Sequence, residues 1–216
     1  MKKIPFELHT DKIYKPSEIR DVLALALNDK NLLGNNKGEK VYNVPCSFDI
    51  ETTSFYRDEN KRAYSYGQYK KMNDGRKNKI KLEKCAIMYV WQFGINGYVV
   101  LGRTWNQFLE LCDTISNVLK LNAKCKLIVY VHNLSYEFQF IRTLFDWDKV
   151  FSIDLRKPIY ARTKTGIEFR CSFLLSGYSL AKLGEQLNTY KVAKMVGDLD
   201  YQLLRHSQTP LTPKEI

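Results

Sequence analysis

The chain has 216 residues, 44% of them hydrophobic and 13% aromatic, with a formal net charge of +11 and a pI near 9.3. That length suits one large domain or two small ones with a sizeable core, and the basic excess points to a polyanionic partner, nucleic acid first. Five scattered cysteines without a Cys-x-x-Cys leave no disulfide framework and fit a reducing compartment, no run of about 18 apolar residues offers a membrane span, and residues 1–10 lack the apolar core of a signal peptide.

In chain order, residues 1–16 read as polar and extended. Pro16 and Ser17 open a predicted helix over 17–27, with Ile19, Val22, Leu23 and Ala26 on one face. A loop at 35–38 leads to a predicted strand over 41–51. Residues 54–84 are polar and rich in Lys, Arg, Tyr and Asn, and are expected to form an insertion or flexible loop, either a backbone-contacting arm or a plain solvated one. A strongly apolar strand over 85–93 turns at 94–97 into a return strand at 98–101. A helix over 104–121 carries Phe108, Leu111, Cys112, Ile115 and Val118 at helical spacing. The unbroken apolar run 126–131 reads as a buried, parallel strand. A helix over 136–145, short strands at 150–155, 159–163 and 167–171, a helix over 179–187 and a polar tail over 198–216 complete the pattern. This order predicts an α/β fold, a mixed sheet with helices on its faces.

Two stretches carry chemistry. In Cys46-Ser47-Phe48-Asp49-Ile50-Glu51-Thr52-Thr53, Asp49 and Glu51 stand at i and i+2, so a strand projects both to one face. Two such carboxylates repel unless a cation lies between them, and hard divalent cations take carboxylate oxygens. The pair is either half of a metal site or a solvated strand edge. In His132-Asn133-Leu134-Ser135-Tyr136-Glu137-Phe138, Asn133 stands at a strand exit, where α/β folds place ligands. Tyr136 offers a ring for base stacking and Glu137 a third carboxylate. The other reading is a helix cap with a first-turn acid. His132 reads as a packing or hydrogen-bonding residue.

Together these stretches resemble the proofreading 3′–5′ exonuclease domain of family-B DNA polymerases, in particular the protein-primed enzymes of small phages and linear plasmids. The resemblance covers roughly residues 42–216, which divides the chain into an N-terminal extension with one helix, 1–41, and the exonuclease domain. Phe48-Asp49-Ile50-Glu51-Thr52 is similar to the family's first motif and residues 131–141 to its second. Tyr178-Ser179-Leu180-Ala181-Lys182-Leu183 resembles its Ser-Leu-x-x-apolar element, and Gly197-Asp198-Leu199-Asp200-Tyr201 its Gly-Asp-Ile-Asp-Tyr segment.

The resemblance implies a ribonuclease H-like mixed sheet flanked by helices and two-metal hydrolysis of the 3′-terminal nucleotide of single-stranded DNA. It implies Asp49, Glu51 and Glu137 as ligands of two Mg²⁺ or Mn²⁺ ions, and Tyr201 as the residue that helps place the attacking water. It further implies Thr52, Asn133, Tyr136, Ser179 and Leu180 as contacts to the DNA strand. A terminal-protein primer is an implied partner, and the cytoplasm of a bacterial host the implied location. The chain departs from the pattern twice. Glu137 stands where the family has Asp, and the chain stops after Thr212-Pro213-Lys214-Glu215-Ile216, before the family's Tyr-x-x-x-Asp motif. The expectation is therefore a fragment whose metal site is incomplete. The alternative is a non-catalytic module of that fold that binds single-stranded nucleic acid or protein.

Overall fold

The computed structural model describes residues 9, 11–187 and 203–212. The chain forms two compact units, Met1–Asp49 with Trp91–Lys194, and Ile50–Val90 with Met195–Ile216. The first holds β1 (Ile13–Tyr14), α1 (Ile19–Ala26), β2 (Leu32–Gly34) and β3 (Lys40–Tyr42). The strands β4 (Cys46–Arg57) and β6 (Glu83–Ile95) belong to it by residues 46–49 and 91–95. The second unit holds their remaining residues with β5 (Ala63–Ser65), α2 (Tyr66–Lys71) and α3 (Asp74–Lys79). Back in the first unit follow β7 (Tyr98–Gly102), α4 (Trp105–Val118), β8 (Cys125–Val131), α5 (Leu134–Ile141), β9 (Trp147–Ser152), β10 (Pro158–Thr163), β11 (Ile167–Cys171), α6 (Ser172–Ser176) and α7 (Leu180–Gln186). Among the described residues no helix is long and apolar enough to cross a membrane.

The strand order β1-β7-β6-β4-β8-β11-β10-β9 makes the expected mixed sheet of an α/β protein, flanked by helices. β8 is its spine. Leu127, Val129 and Val131 are fully buried, as the apolar run requires, and β3, β4 and β11 all pair with β8 in parallel. The strand expected over 41–51 is two strands. Pro45 has no N–H for a ladder and interrupts it. The register moves from Tyr42 opposite Leu127 to Ser47 opposite Tyr130, five residues against three, so residues 43–45 bulge. The segment before residue 42 is built into this unit. β1 pairs with β7, β3 with β8, and α1 packs on α4 through its predicted face, where Val22 is fully buried.

The core of this unit centres on Phe108 of α4. Its ring stacks on Phe48 at 4.4 Å between centroids and meets Trp91 at 5.2 Å and Trp105 and Phe145 at 6.0 Å. The helix starts where Thr104 and Gln107 form a reciprocal capping box. The β6–β7 hairpin turns on Asn96 and Gly97, both at positive φ, the left-handed pair that a two-residue hairpin of this twist requires. Gly102 pairs with Trp91 across that hairpin, and a Cβ there would overlap the buried indole. Gly102→Ala is expected to lower stability by about 1–3 kcal/mol. Urea unfolding measures it, and an unchanged midpoint would contradict the packing.

In the second unit, the stretch expected as a loop over 54–84 is folded. β4 continues to Arg57, β5 pairs with it in antiparallel fashion, and two short helices follow. Aromatic packing is the cause. Tyr64 is buried, with its hydroxyl donating to Asp58 Oδ2 at 2.9 Å, and Tyr56 stacks on Tyr69 at 3.7 Å. Ser65 and Gln68 cap α2. Counting polar residues misses this, because Tyr64 buries its ring while Asp58 satisfies its hydroxyl.

Candidate functional site

The parallel strands β8 and β11 end at one level in the first unit, beside Asp49 of β4. Asp49 lies two residues beyond Ser47, which pairs with Tyr130, so it stands level with His132. Cys171 pairs with Val131, so Ser172 is level with His132 as well, and its hydroxyl lies 3.2 Å from His132 Nδ1. His132 is thus held by hydrogen bonding, as its sequence context suggests.

Asn133 turns the chain from β8 into α5. Its φ of 68° and ψ of 55° are left-handed, a region Asn tolerates better than most residues with a Cβ. Its side chain makes no capping bond to the helix, so the cap reading fails at this position. α5 then runs over Leu134–Ile141 rather than 136–145, because the strand exit feeds directly into it.

One turn into α5 lies Glu137. Helical periodicity buries it with Leu134 and Ile141, and it is only 4% exposed. Its Oε2 has no hydrogen-bond partner among the described residues. Burial pushes its pKa from an ordinary 4.5 up to about 8; its own backbone N–H opposes the rise and the charge of Asp49 adds to it. Asp49 itself is exposed on β4.

Asp49 and Glu137 are hard oxygen donors near enough for the charge of the first to raise the pKa of the second, and one oxygen of the buried Glu137 lacks a partner among the described residues. That donor set fits a hard divalent cation, which takes carboxylate oxygens and keeps waters. Among the described residues no group of three or more His, Cys, Asp or Glu side chains is placed to hold a metal. Glu51 and Thr52 belong to the second unit, both half-buried on β4. There the neighbouring Thr53 is the buried one, its hydroxyl donating to the Leu203 carbonyl at 2.8 Å. Tyr201 lies outside the described residues.

Beside the strand ends runs a groove made of two adjoining cavities, of about 500 and 340 Å³, both lined by Asn133 and Phe173. Tyr136, 43% exposed, lines the larger one, and Ser179 and Leu180 the smaller. Tyr136 and Leu180, 47% exposed, are thus not core residues. Ser179 is the N-cap of α7, its Oγ accepting from the Lys182 N–H at 3.3 Å, which leaves its own proton to donate.

Sequence reasoning missed several residues of this groove, Phe173, Arg156 and Lys157 among them. Phe173 sits on α6, a helix no periodicity announced, and Arg156 and Lys157 lie in the turn between β9 and β10. A basic pair between two short strands was the available signal. No family model, curated protein or solved structure matches the chain.

Proposed function

We propose that the chain is the 3′–5′ exonuclease domain, of ribonuclease H-like type, of a protein-primed family-B DNA polymerase. The observation that carries this reading is the buried carboxyl of Glu137, its Oε2 without a hydrogen-bond partner among the described residues, within reach of the charge of Asp49 where β8 and β11 end. Such a carboxyl costs stability unless something cationic offsets it. Asp49 and Glu137 would hold a divalent cation, and Glu51 joins them on its sequence spacing from Asp49. When bound, the metal supplies charge stabilisation for the scissile phosphate and an activated water.

The chain's own groups do the rest. The exposed ring of Tyr136 and the ring of Phe173 offer faces on which unpaired bases stack. Asn133 presents a free amide at the strand exit, Ser179 donates its hydroxyl proton, and Arg156 and Lys157 meet phosphates. Recognition by ring faces and backbone contacts is independent of sequence and sensitive to salt. Thr52 and Tyr201 keep the roles their motifs imply, contact to the 3′ end and placement of the water. A terminal-protein primer as partner and the cytoplasm of a bacterial host belong to the same reading.

A 5′-labelled single-stranded oligonucleotide incubated with the chain and Mn²⁺ or Mg²⁺ tests it. Stepwise shortening from the 3′ end is expected. Asp49→Ala should slow it beyond the roughly 10–100-fold that loss of an outer-shell partner costs. Binding without shortening identifies a non-catalytic single-strand-binding module instead. Neither binding nor shortening overturns both readings.

A further inference from the structure

The charge of this protein is unevenly spread. Residues 54–84 contain ten Lys and Arg against four Asp and Glu, a net +6 of the chain's +11. A flexible basic loop would need no explanation beyond solubility, but this stretch is folded into β5, α2 and α3 of the second unit. What matters is which of its cations are already satisfied. Arg57 pairs with Glu83 at 2.8 Å, and Lys77 with Asp74 at 3.2 Å. Lys70 lies over the Tyr66 ring at 4.7 Å and Arg62 over the Tyr64 ring at 5.6 Å. Lys61, Lys71, Lys79, Lys81 and Lys84 are all exposed and have no carboxylate partner among the described residues. Lys71 closes α2, Lys79 closes α3 and Lys81 follows it, so these cations sit on ordered backbone rather than on a free coil.

The tyrosines decide what kind of polyanion this surface fits. Tyr56 and Tyr69 stack on each other, Lys77 covers Tyr69, Lys70 covers Tyr66, and Tyr64 is buried. Each has a face taken up by packing or a cation, so these rings are poorer platforms for unpaired bases than the exposed ring of Tyr136. The surface therefore offers phosphate-directed charge more than base-directed rings. That is the composition of a site that tracks a nucleic-acid backbone independently of sequence, and a duplex, whose bases are already stacked, fits it better than a single strand. We propose that the unpaired lysines of this folded insertion, Lys71, Lys79 and Lys81 foremost, form a second nucleic-acid contact that binds duplex phosphates. It differs in residues and in chemistry from the aromatic groove at Asn133, and it stands or falls separately from the metal site.

The experiment uses the full chain and a blunt duplex of about two helical turns, with fluorescence anisotropy at several salt concentrations. The triple variant K71Q/K79Q/K81Q is compared with a control, K120Q/K124Q/K149Q, that removes the same charge from the first unit, and with Asp49→Ala. Each lost phosphate contact lowers the slope of log affinity against log salt by about 0.9, so the triple variant should lose roughly 2–3 units of slope. Its affinity near 0.1 M salt should fall by about tenfold or more. The control should bind duplex as the parent does, and Asp49→Ala, read only for shortening of the oligonucleotide, separates this contact from the metal site. Unchanged far-ultraviolet dichroism and melting temperature establish that the triple variant is folded; if it is not, the single variants K71Q and K81Q, each expected to remove about one unit of slope, replace it. Equal slopes and affinities in parent and triple variant overturn the proposal. So does an equal loss in the control, which would mean net charge alone governs binding. Binding to phosphatidylserine vesicles without binding to duplex overturns it in favour of a membrane surface.

Discussion

Metal-free protein is expected to lose stability as the pH rises from about 4.5 to about 8, and Glu137→Gln is expected to abolish most of that loss. Glu137 is an acid whose pKa is raised in the fold, from an ordinary 4.5 to about 8, so the native state holds its proton more tightly than the unfolded chain does. Below about pH 4.5 both states are protonated and the burial carries no ionic penalty. Between the two values the unfolded chain ionises first and stability falls. Above about 8 both states are ionised and this contribution is flat. At about 1.4 kcal/mol per pKa unit the full loss is roughly 3–5 kcal/mol, a large share of an ordinary domain's 5–15 kcal/mol. Urea unfolding at pH 5, 6.5 and 8 in chelator, for parent and variant, measures it. Other groups titrate in both proteins, so the difference between them isolates Glu137. Mn²⁺ at pH 8 should restore stability to the parent and not to Glu137→Gln. Parallel pH slopes in the two proteins would remove the buried carboxyl as the basis of the proposed site. Asp49→Asn should give an intermediate result, since the Asp49 charge contributes to the raised pKa after burial itself.

The second large effect is expected at Phe108. Its ring is fully buried and touches Phe48, Trp91, Trp105, Phe145 and Phe169, so truncation leaves a cavity walled by rings that cannot easily collapse. Phe108→Ala should cost about 3–5 kcal/mol, and Phe108→Leu distinctly less, because it keeps most of the volume. Denaturant midpoints decide between them; a cost under 1 kcal/mol for Ala would mean that the aromatic cluster is not the centre of the core. The effect reaches the site, because Phe48 is the neighbour of Asp49 on β4 and holds that strand against α4. Divalent-cation affinity, read by isothermal titration, should fall together with stability in Phe108→Ala.

Much of the fold was legible in local sequence. The alternation Cys46, Phe48, Ile50 against Ser47 and Asp49 is the observed burial pattern of β4, because a strand's side chains alternate whatever it pairs with. The periodicity of Phe108, Leu111, Cys112 and Ile115 is the buried face of α4. Asn96-Gly97 specified its own turn, and β11 has the predicted bounds 167–171. Each of these signals resides in residues a few positions apart.

What local sequence left undecided depends on residues far apart. Whether the Asn133 side chain caps α5 was open until its backbone proved left-handed and its side chain made no capping bond. Glu137 reads in sequence either as a third carboxylate or as a first-turn acid, and only the packing of α5 shows that it is buried. Phe173, Arg156 and Lys157 join the groove only because β11 and the β9–β10 hairpin fold back beside β8. The sequence by itself determined which side chains share a face and where the chain turns, since bond geometry and steric periodicity act over a few residues. The tertiary structure alone decided strand register, the burial of Glu137 and the folding of the basic stretch 54–84. Those follow from long-range pairing and ring packing, which no short window of sequence contains.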